Sequence, residues 1–281
     1  MATEFSPIST SPGRGGGSFS LQQLDLHQWG ERASPVEVLD HFRVSGRPFP
    51  PHPHAGFSAV AYVFEDSQAS LRSRDSLGND AVVGPGGLVW TQAGSGLMHE
   101  ETPAENGREL HGLQVFVNLS SKNKLVKPQQ FRIENQDVPV WRSNAADRVR
   151  VVVGSFAEFS SPLVPAEAFR FLDAELVHEI PFELEDGHNA IVYVLKGRAT
   201  VSADGHDVTV GAEQAVALNG SGTVNVEALD RAQILVLSGA AIGEPVISAG
   251  PFIMNDESQV EDAFVRYRAG GMGRLELDHD I

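Results

Sequence analysis

Two short stretches of the sequence combine metal-ligating side chains with the spacing of an extended strand. His52 and His54 flank Pro53, and His99 and Glu101 flank Glu100. Residues i and i+2 of a strand point to the same face with their backbones about 6 to 7 Å apart, so each pair can present two ligating groups to one ion. Pro53 also biases His52 towards an extended conformation. Each pair is therefore a candidate half of a metal site.

Each pair taken alone has a simpler interpretation. A His-Pro-His sequence is also typical of an exposed loop, and Glu100 beside Glu101 is typical of a solvated surface turn. The two pairs lie about 45 residues apart, each near glycine, and together they offer three imidazoles and one carboxylate. If their strands face each other inside a barrel, the four side chains can hold one ion and leave coordination positions open, as in non-haem iron oxygenases.

Short strands separated by turns must position these residues. The 28 glycines and 16 prolines favour a turn-rich β architecture. Apolar runs predict a first series of strands at 57–64, 80–83, 88–92 and 111–119, with a turn at 75–79. A second series is predicted at 149–154, 174–181, 190–195, 199–201, 207–210, 214–218, 223–226 and 234–238. The similarity of the two series indicates a duplicated sandwich or barrel.

One helix is predicted near the C-terminus. Val260, Phe264 and Tyr267 form an apolar stripe at the helical spacing. Ser258 and Glu261 predict a capping box at its start, and the two glycines at 270–271 predict its end.

Composition divides the chain into four predicted parts. The polar, Gly/Ser-rich stretch 1–18 is expected to be a disordered tail, and the polar segment 120–135 is the best linker candidate. We therefore expect an N-terminal metal-binding domain at 19–127, a metal-free C-terminal domain at 128–250, and a segment with the helix at 251–281.

Charge and residue counts exclude several functions. The 37 acidic and 21 basic side chains give a formal net charge of −16, which repels nucleic acid. The absence of cysteine excludes disulfides and thiolate chemistry. No stretch reaches the roughly 20 apolar residues that span a bilayer, and the first residues lack a secretory core, so we expect a cytoplasmic protein.

Several segments resemble, in order and spacing, the signature of the pirin family. They are FPPHPHAGF, RDSLGN, GPGGLVWTQAGSGLMHEETP and GLQVFVNL, with GEPVISAGPFIMN before the helix. The resemblance implies an all-β fold of two cupin-type antiparallel β-barrel (jelly-roll) domains packed face to face. It also implies a metal, usually Fe, held in the first domain by residues that correspond to His52, His54, His99 and Glu101.

The resemblance implies two alternative functions. The first is a dioxygenase of the quercetin 2,3-dioxygenase type, with O₂ and a flavonol or similar aromatic substrate, in which Glu101 is the candidate catalytic base. The second is a metal-dependent redox sensor or regulator that acts through a protein partner, either a transcription factor or a metabolic enzyme. The expected ion is Fe(II), and Mn, Co, Ni, Cu or Zn also suit such ligands.

Four positions depart from the family pattern. Ala55 stands where Arg is usual, Ser58 where Glu is common, Ser73 where His is frequent, and Gly87 in place of the Asp of a Pro-Gly-Asp turn. These changes leave the expected ligands intact but bear on the residues that orient them.

The remaining histidines and two aromatic residues have mainly structural interpretations. His41 and His111 are expected to be hydrogen-bonded structural residues, with a role in the pocket as the alternative. His178 and His188 have no second ligand at strand spacing. For the aromatic residues Trp90 and Phe116 we expect core packing, with substrate contact as the alternative.

Overall fold

The fold was obtained as a computed structural model, which describes residues 2–11 and 13–277. Its first strands are β1 (Glu4–Phe5), β2 (Ser9–Thr10), β3 (Arg14–Gly16), β4 (Phe19–Gln23), β5 (Val36–Val44), β6 (His52–His54), β7 (Phe57–Val63), β8 (Leu71–Asp75), β9 (Asp80–Val83), β10 (Leu88–Gln92), β11 (Leu97–Pro103), β12 (Leu110–Asn118) and β13 (Gln129–Ile133). They are followed by β14 (Val140–Arg142), β15 (Arg148–Val153), β16 (Ser155–Phe156), β17 (Phe159–Ser160), β18 (Phe169–Leu176), β19 (Glu179–Lys196), β20 (Arg198–Ala203), β21 (His206–Gly211), β22 (Gln214–Ala228), β23 (Ala232–Ala240), β24 (Ile247–Ala249), β25 (Phe252–Met254) and helix α1 (Glu257–Arg268). Two short 3-10 helices span His27–Ala33 and Asn135–Asp137.

The chain forms two compact units, each assembled from separate segments. The histidine unit contains Gly13–Gln23, Val36–Asp137 and the segment from Ile242 onwards. The C-terminal unit contains Leu24–Pro35, Val138–Ala241 and the described part of the first twelve residues. The predicted boundary at 127 therefore falls inside the histidine unit, because β13 pairs with β10 and extends its sheet.

The histidine unit consists of two antiparallel sheets that face each other across an interior cavity. The larger sheet has the strand order β13-β10-β7-β12-β5-β4-β3, and the smaller sheet has the order β6-β11-β8-β9. β7 is buried along its whole length, whereas β8 and β9 alternate between buried and more exposed residues. This alternation is typical of sheets that bury one face. The strands predicted at 80–83 and 88–92 are confirmed, and the other two predicted strands of the first series differ by one residue at their ends.

The C-terminal unit is built on one large antiparallel sheet. Its strand order is β14-β15-β18-β23-β19-β22-β20-β21, and β1 and β2 also pair with β22. Its core consists of small and branched aliphatic side chains such as Val151, Leu172, Val192 and Val236. β22 joins two strands that the sequence predicted separately, and it continues through Gly220 and Gly222, whose positive φ values of 138° and 126° favour glycine.

The first residues do not form the expected disordered tail. Glu4 pairs with Asn219 and Ser9 pairs with Ala215, while Phe5 packs against the core of the C-terminal unit. The prediction was wrong because strand pairing uses backbone groups, which composition does not report.

The predicted linker at 120–135 is also ordered structure. Lys124 is buried within it, and Ser95 N donates to the carbonyl of Val126 at 2.9 Å. A polar composition therefore conceals a segment that packs against the two turns near the histidines.

Helix α1 confirms the C-terminal prediction, with one correction. The N-cap is Asp256, whose side chain accepts a hydrogen bond from Gln259 N, and Ser258 donates to Asp256 rather than capping the helix itself. The helix ends before Gly270, which has a positive φ of 77°. No helix among the described residues is long and apolar enough to cross a membrane.

Candidate metal centre

The pairing of β6 with β11 brings the two histidine stretches together. His52 lies opposite His99, and His54 lies opposite Leu97. Since alternate residues of a strand share a face, His52, His54 and His99 project from the same side of this sheet into the cavity. Strand register thus places His52 and His54, which are two residues apart, on the same face as His99.

The three imidazoles meet through their Nε2 atoms. His52 Nε2 lies 3.2 Å from His54 Nε2 and 3.1 Å from His99 Nε2. Two nitrogens that are each about 2.1 Å from one ion lie about 3 Å apart, so these separations suit neighbouring ligands of a single ion. Within the described residues, these histidines are the group of His and acidic side chains whose ligand atoms all lie within 4.8 Å of one another.

The tautomer of His52 is fixed by a backbone hydrogen bond. Its Nδ1 lies 2.9 Å from the carbonyl of Pro50, which can only accept, so Nδ1 donates. The Nε2 atom therefore carries a lone pair towards the other two rings. This arrangement, with one ring nitrogen held by a carbonyl and the other free to ligate, is typical of histidines that bind metals.

Glu101 lies in the same cavity but outside the close group of histidine nitrogens. It follows His99 by two residues on β11 and borders the cavity. Its Oε1 is buried and has no hydrogen-bond partner among the described residues. Burial raises the pKa of Glu101 to about 8. An uncompensated buried carboxyl costs free energy, and a nearby cation would remove that cost.

Burial also keeps two of the histidines, His54 and His99, neutral. It lowers the pKa of His54 to about 3, with a further lowering by His52 and a smaller opposing hydrogen bond to the Pro251 backbone. Burial, followed by the neighbouring His54 and His52, lowers the pKa of His99 well below its ordinary value. Neutral imidazoles are the form that ligates metals. The donor set, its spacing and the buried carboxyl fit a divalent transition-metal ion.

Glycine is required in the turns on either side of the ligands. Gly56 has φ +84°, and a Cβ there would lie 1.9 Å from the carbonyl oxygen of Ile253. Gly94 has φ +50°, and a Cβ there would lie 2.1 Å from the carbonyl oxygen of Val126. Any side chain at these positions would push away the segments that hold the turns.

Lys124 braces the turn that follows His54. Its buried Nζ donates to the carbonyl of Gly56 at 3.0 Å and also to Asn118 Oδ1. On β11, Glu100 lies between the two candidate ligand positions, and its carboxylate pairs with Arg74 of the neighbouring strand β8. Since alternate residues of a strand face opposite sides, this ion pair lies on the face of β11 away from His99 and Glu101.

The cavity above the histidines has a volume of about 260 Å³ and is mainly apolar. Phe116 forms part of its wall, and its ring centroid lies 5.4 Å from that of His54. Phe49 is 53% exposed and packs edge-on against Phe19, which also lines the cavity. The lining residues are Phe19, Leu21, Asp40, Phe42, Val44, Pro48, Phe49, His52, His54, Leu71, His99, Glu101, Leu110, Gln114 and Phe116. An apolar pocket with a few converging polar groups is the usual form of a small-molecule site.

The other histidines take the structural roles expected from the sequence. The Nε2 atoms of His41 and His111 lie 2.7 Å apart, and His111 Nδ1 lies 2.6 Å from Asp66 Oδ1. Neither histidine is among the cavity-lining residues. In the C-terminal unit, His178 and His188 contact acidic side chains but form no close ligand group in the described chain.

The two aromatic residues behave differently. Trp90 is fully buried in β10 and is not part of the cavity wall. Phe116 contacts the ring of His54 and lines the cavity. Its position therefore allows substrate contact, which was the alternative to core packing for this residue.

Within the described chain, the four departures from the family pattern lie near the site but outside the cavity lining. Ala55 packs against Phe252 and the C-terminal helix, and Gly87 is crowded by Val83. Ser73 lies directly opposite Glu101 on the neighbouring strand, and its Oγ accepts a hydrogen bond from Gln130. None of the four departures, Ser58 included, is among the cavity-lining residues of the described chain.

Three polar residues near the site were missed in the sequence. Asp40 and Gln114 line the cavity, and Lys124 holds the turn after His54. The alternation of Asp40, Phe42 and Val44 along β5 could have placed Asp40 on the inner face. The sequence did not predict the burial of Lys124, because this residue lies in a polar segment whose composition is typical of a loop.

Comparison with known proteins agrees with this architecture. The family model described as pirin matches residues 15–117, and the model for the pirin C-terminal cupin domain matches residues 171–273. A Pseudomonas aeruginosa protein named as a candidate quercetin 2,3-dioxygenase is 33% identical, over 85% of this chain and 87% of its own length. Human pirin is 31% identical over 83% of this chain and 81% of its own length.

Solved structures show the same fold. A quercetin 2,3-dioxygenase from Acinetobacter baumannii superposes with a TM-score of 0.85 at 24% identity, covering 98% of this chain and all of the other. A bacterial pirin from Escherichia coli, solved in complex with nickel(II), superposes with a TM-score of 0.65 at 17% identity, covering 84% and 99%.

The fold and the histidine group together define a double-cupin protein with a candidate metal site in its N-terminal cupin. Because relatives above 30% identity cover more than four fifths of it, the chain belongs to the pirin family.

Proposed function

We propose that this protein is a metal-dependent dioxygenase of the quercetin 2,3-dioxygenase type. The observation that carries the proposal is the convergence of three histidine Nε2 atoms at one end of an apolar cavity. His52, His54, His99 and Glu101 would hold the ion. The names of the Pseudomonas aeruginosa relative and of the Acinetobacter baumannii structure support the same activity.

The residues of the cavity divide the work of the reaction. A bound transition-metal ion supplies Lewis-acid activation of a hydroxyl and the redox chemistry with O₂. Glu101 accepts the proton of the substrate hydroxyl, a role that its free Oε1 permits. Phe116 and the other apolar residues orient a flat aromatic substrate and exclude water. A dioxygenase places both oxygen atoms in the products and takes the electrons from the substrate, so no further reductant is needed.

The proposal is tested in two stages. The purified protein is loaded anaerobically with Fe(II), its metal content is measured, and oxygen uptake is followed with quercetin. We expect stoichiometric metal and substrate-dependent uptake. His54→Ala and Glu101→Ala should lose the metal and keep the fold by circular dichroism, whereas His178→Ala, at an exposed position of the other unit, should keep both.

Two results would overturn the proposal. Unchanged metal content in both site variants would refute the ligands. Full metal occupancy with no uptake across flavonols and catechols would refute the enzyme, and the regulatory role suggested by the sequence would then be the one to pursue.

A further inference from the structure

The cavity wall opposite the histidines consists of successive rows of side chains on β4, β5 and β12. Register places Asp40 opposite Gln114, Phe42 opposite Gly112, and Val44 opposite Leu110. The Phe42 and Val44 rows are apolar, and Phe116 on the other side is apolar as well. Asp40 and Gln114, here called the distal pair, therefore form one polar row in an otherwise apolar wall.

Both members of the distal pair line the cavity and carry acceptor atoms. Asp40 Oδ1 is buried without a hydrogen-bond partner among the described residues. Gln114 Nε2 donates one of its two hydrogens to the carbonyl of Val60 at 3.2 Å, and its amide oxygen is an acceptor. Burial raises the pKa of Asp40 to about 6, and a hydrogen bond with Gln23 partly opposes this rise. A ligand that donates a hydrogen bond would provide a partner for the acceptor oxygens of this row.

The distal pair lies apart from the candidate metal ligands. Phe116, whose ring contacts His54, follows Gln114 by two residues on β12, a distance of about 7 Å along the strand. An aromatic molecule held at the histidine end thus extends along the wall towards Asp40. Neither Lys nor Arg is among the cavity-lining residues of the described chain, so a negatively charged ligand would meet Asp40 without compensation.

We propose that the distal pair selects substrates by the group opposite their metal-chelating end. It binds a hydroxyl or ammonium donor and discriminates against a carboxylate. This inference rests on the proposed function for the metal at the histidine end, and it adds a specificity-determining role for Asp40.

The test uses three ligands that share a catechol end and differ in the remote group. They are 4-methylcatechol, dopamine and 3,4-dihydroxyphenylacetate, which are neutral, cationic and anionic there. Dissociation constants are measured by calorimetry at pH 7.5 on the Zn(II)-loaded protein, so that no turnover is required. We expect dopamine to bind about tenfold more tightly than 4-methylcatechol, and 3,4-dihydroxyphenylacetate about tenfold more weakly.

Asp40→Asn should compress this order to within about threefold. Asp137→Asn, at an exposed position, makes the same change in net charge and should preserve the order. The inference would be overturned if the wild-type protein bound the three ligands with similar dissociation constants or if the expected order persisted in Asp40→Asn. It would also be overturned if the metal-loaded protein bound none of them. Correct ordering without oxygen uptake on quercetin would overturn the proposed enzyme function but support the distal pair.

Discussion

At the scale of single residues, the cavity contains carboxyl groups in two different settings. Glu101 is next to the histidines, and a cation there would compensate its burial. Asp40 lies in the opposite wall, where a hydrogen bond with Gln23 partly stabilises its charged form. Their separate positions allow one acid to serve the chemistry and the other to serve recognition.

The raised pKa of Asp40 has a consequence for stability. An acid with a raised pKa binds its proton more tightly in the folded state, so its contribution to the free energy of unfolding falls as the pH rises from about 4 through 6. Asp40→Asn removes this contribution. We expect the variant to gain about 1 to 2 kcal/mol relative to wild type between pH 4.5 and 7.5.

The measurement is urea unfolding of the metal-free protein at the two pH values. Asp137→Asn serves as the reference and should show no such gain. An equal pH dependence in wild type and Asp40→Asn would show that this carboxyl titrates as if it were in solvent.

At the scale of elements, the ligand strands depend on the turns that follow and precede them. The turn at Gly56 is enclosed by the Ile253 carbonyl and held by Lys124, and the turn at Gly94 is enclosed by Val126. These contacts come from the chain beyond the predicted first domain and from the segment read as a linker. The geometry of the histidines therefore depends on segments distant in sequence.

Substitution at Gly56 tests this dependence. Gly56→Ala should destabilise the protein by more than about 3 kcal/mol and weaken metal retention, because it adds a backbone collision to the cost of positive φ. Gly78→Ala is the matched control, since Gly78 has φ +93° with open space around it.

The control should therefore lose only about 1 kcal/mol and retain its metal. Thermal unfolding and metal analysis distinguish the two variants. Equal losses would mean that positive φ alone, and not the contact with Ile253, requires glycine at residue 56.

At the scale of the whole molecule, each unit includes a segment that is distant in sequence from the rest of that unit. The C-terminal segment joins the histidine unit, and the first residues join the C-terminal unit. Ser6 illustrates the second case, since its Oγ accepts a hydrogen bond from Ala217 N, and the carbonyl of Pro7 accepts one from the indole of Trp29.

Removal of residues 2–11 should lower the free energy of unfolding. It leaves the donors of Ala217 and Trp29 without their acceptors, at a cost of about 1 to 3 kcal/mol each. Metal content per folded protein should stay at the wild-type level, because the candidate ligands all belong to the histidine unit.

Urea unfolding and metal analysis of the truncated protein give both readings. If the truncated protein unfolds with the wild-type free energy, strands β1 and β2 contribute nothing to stability. That result is the one expected of a disordered tail. Loss of metal from the folded protein would contradict the assignment of the site to one unit.

The sequence alone determined the candidate ligand types, their i, i+2 spacing and four strands of the histidine unit, because side-chain alternation is a local property of extended chain. It also predicted the C-terminal helix from its apolar stripe. Only the tertiary structure decided that Lys124 supports Gly56 and that the first residues pair with β22. Those features depend on which distant segment lies opposite, and neither composition nor spacing carries that information.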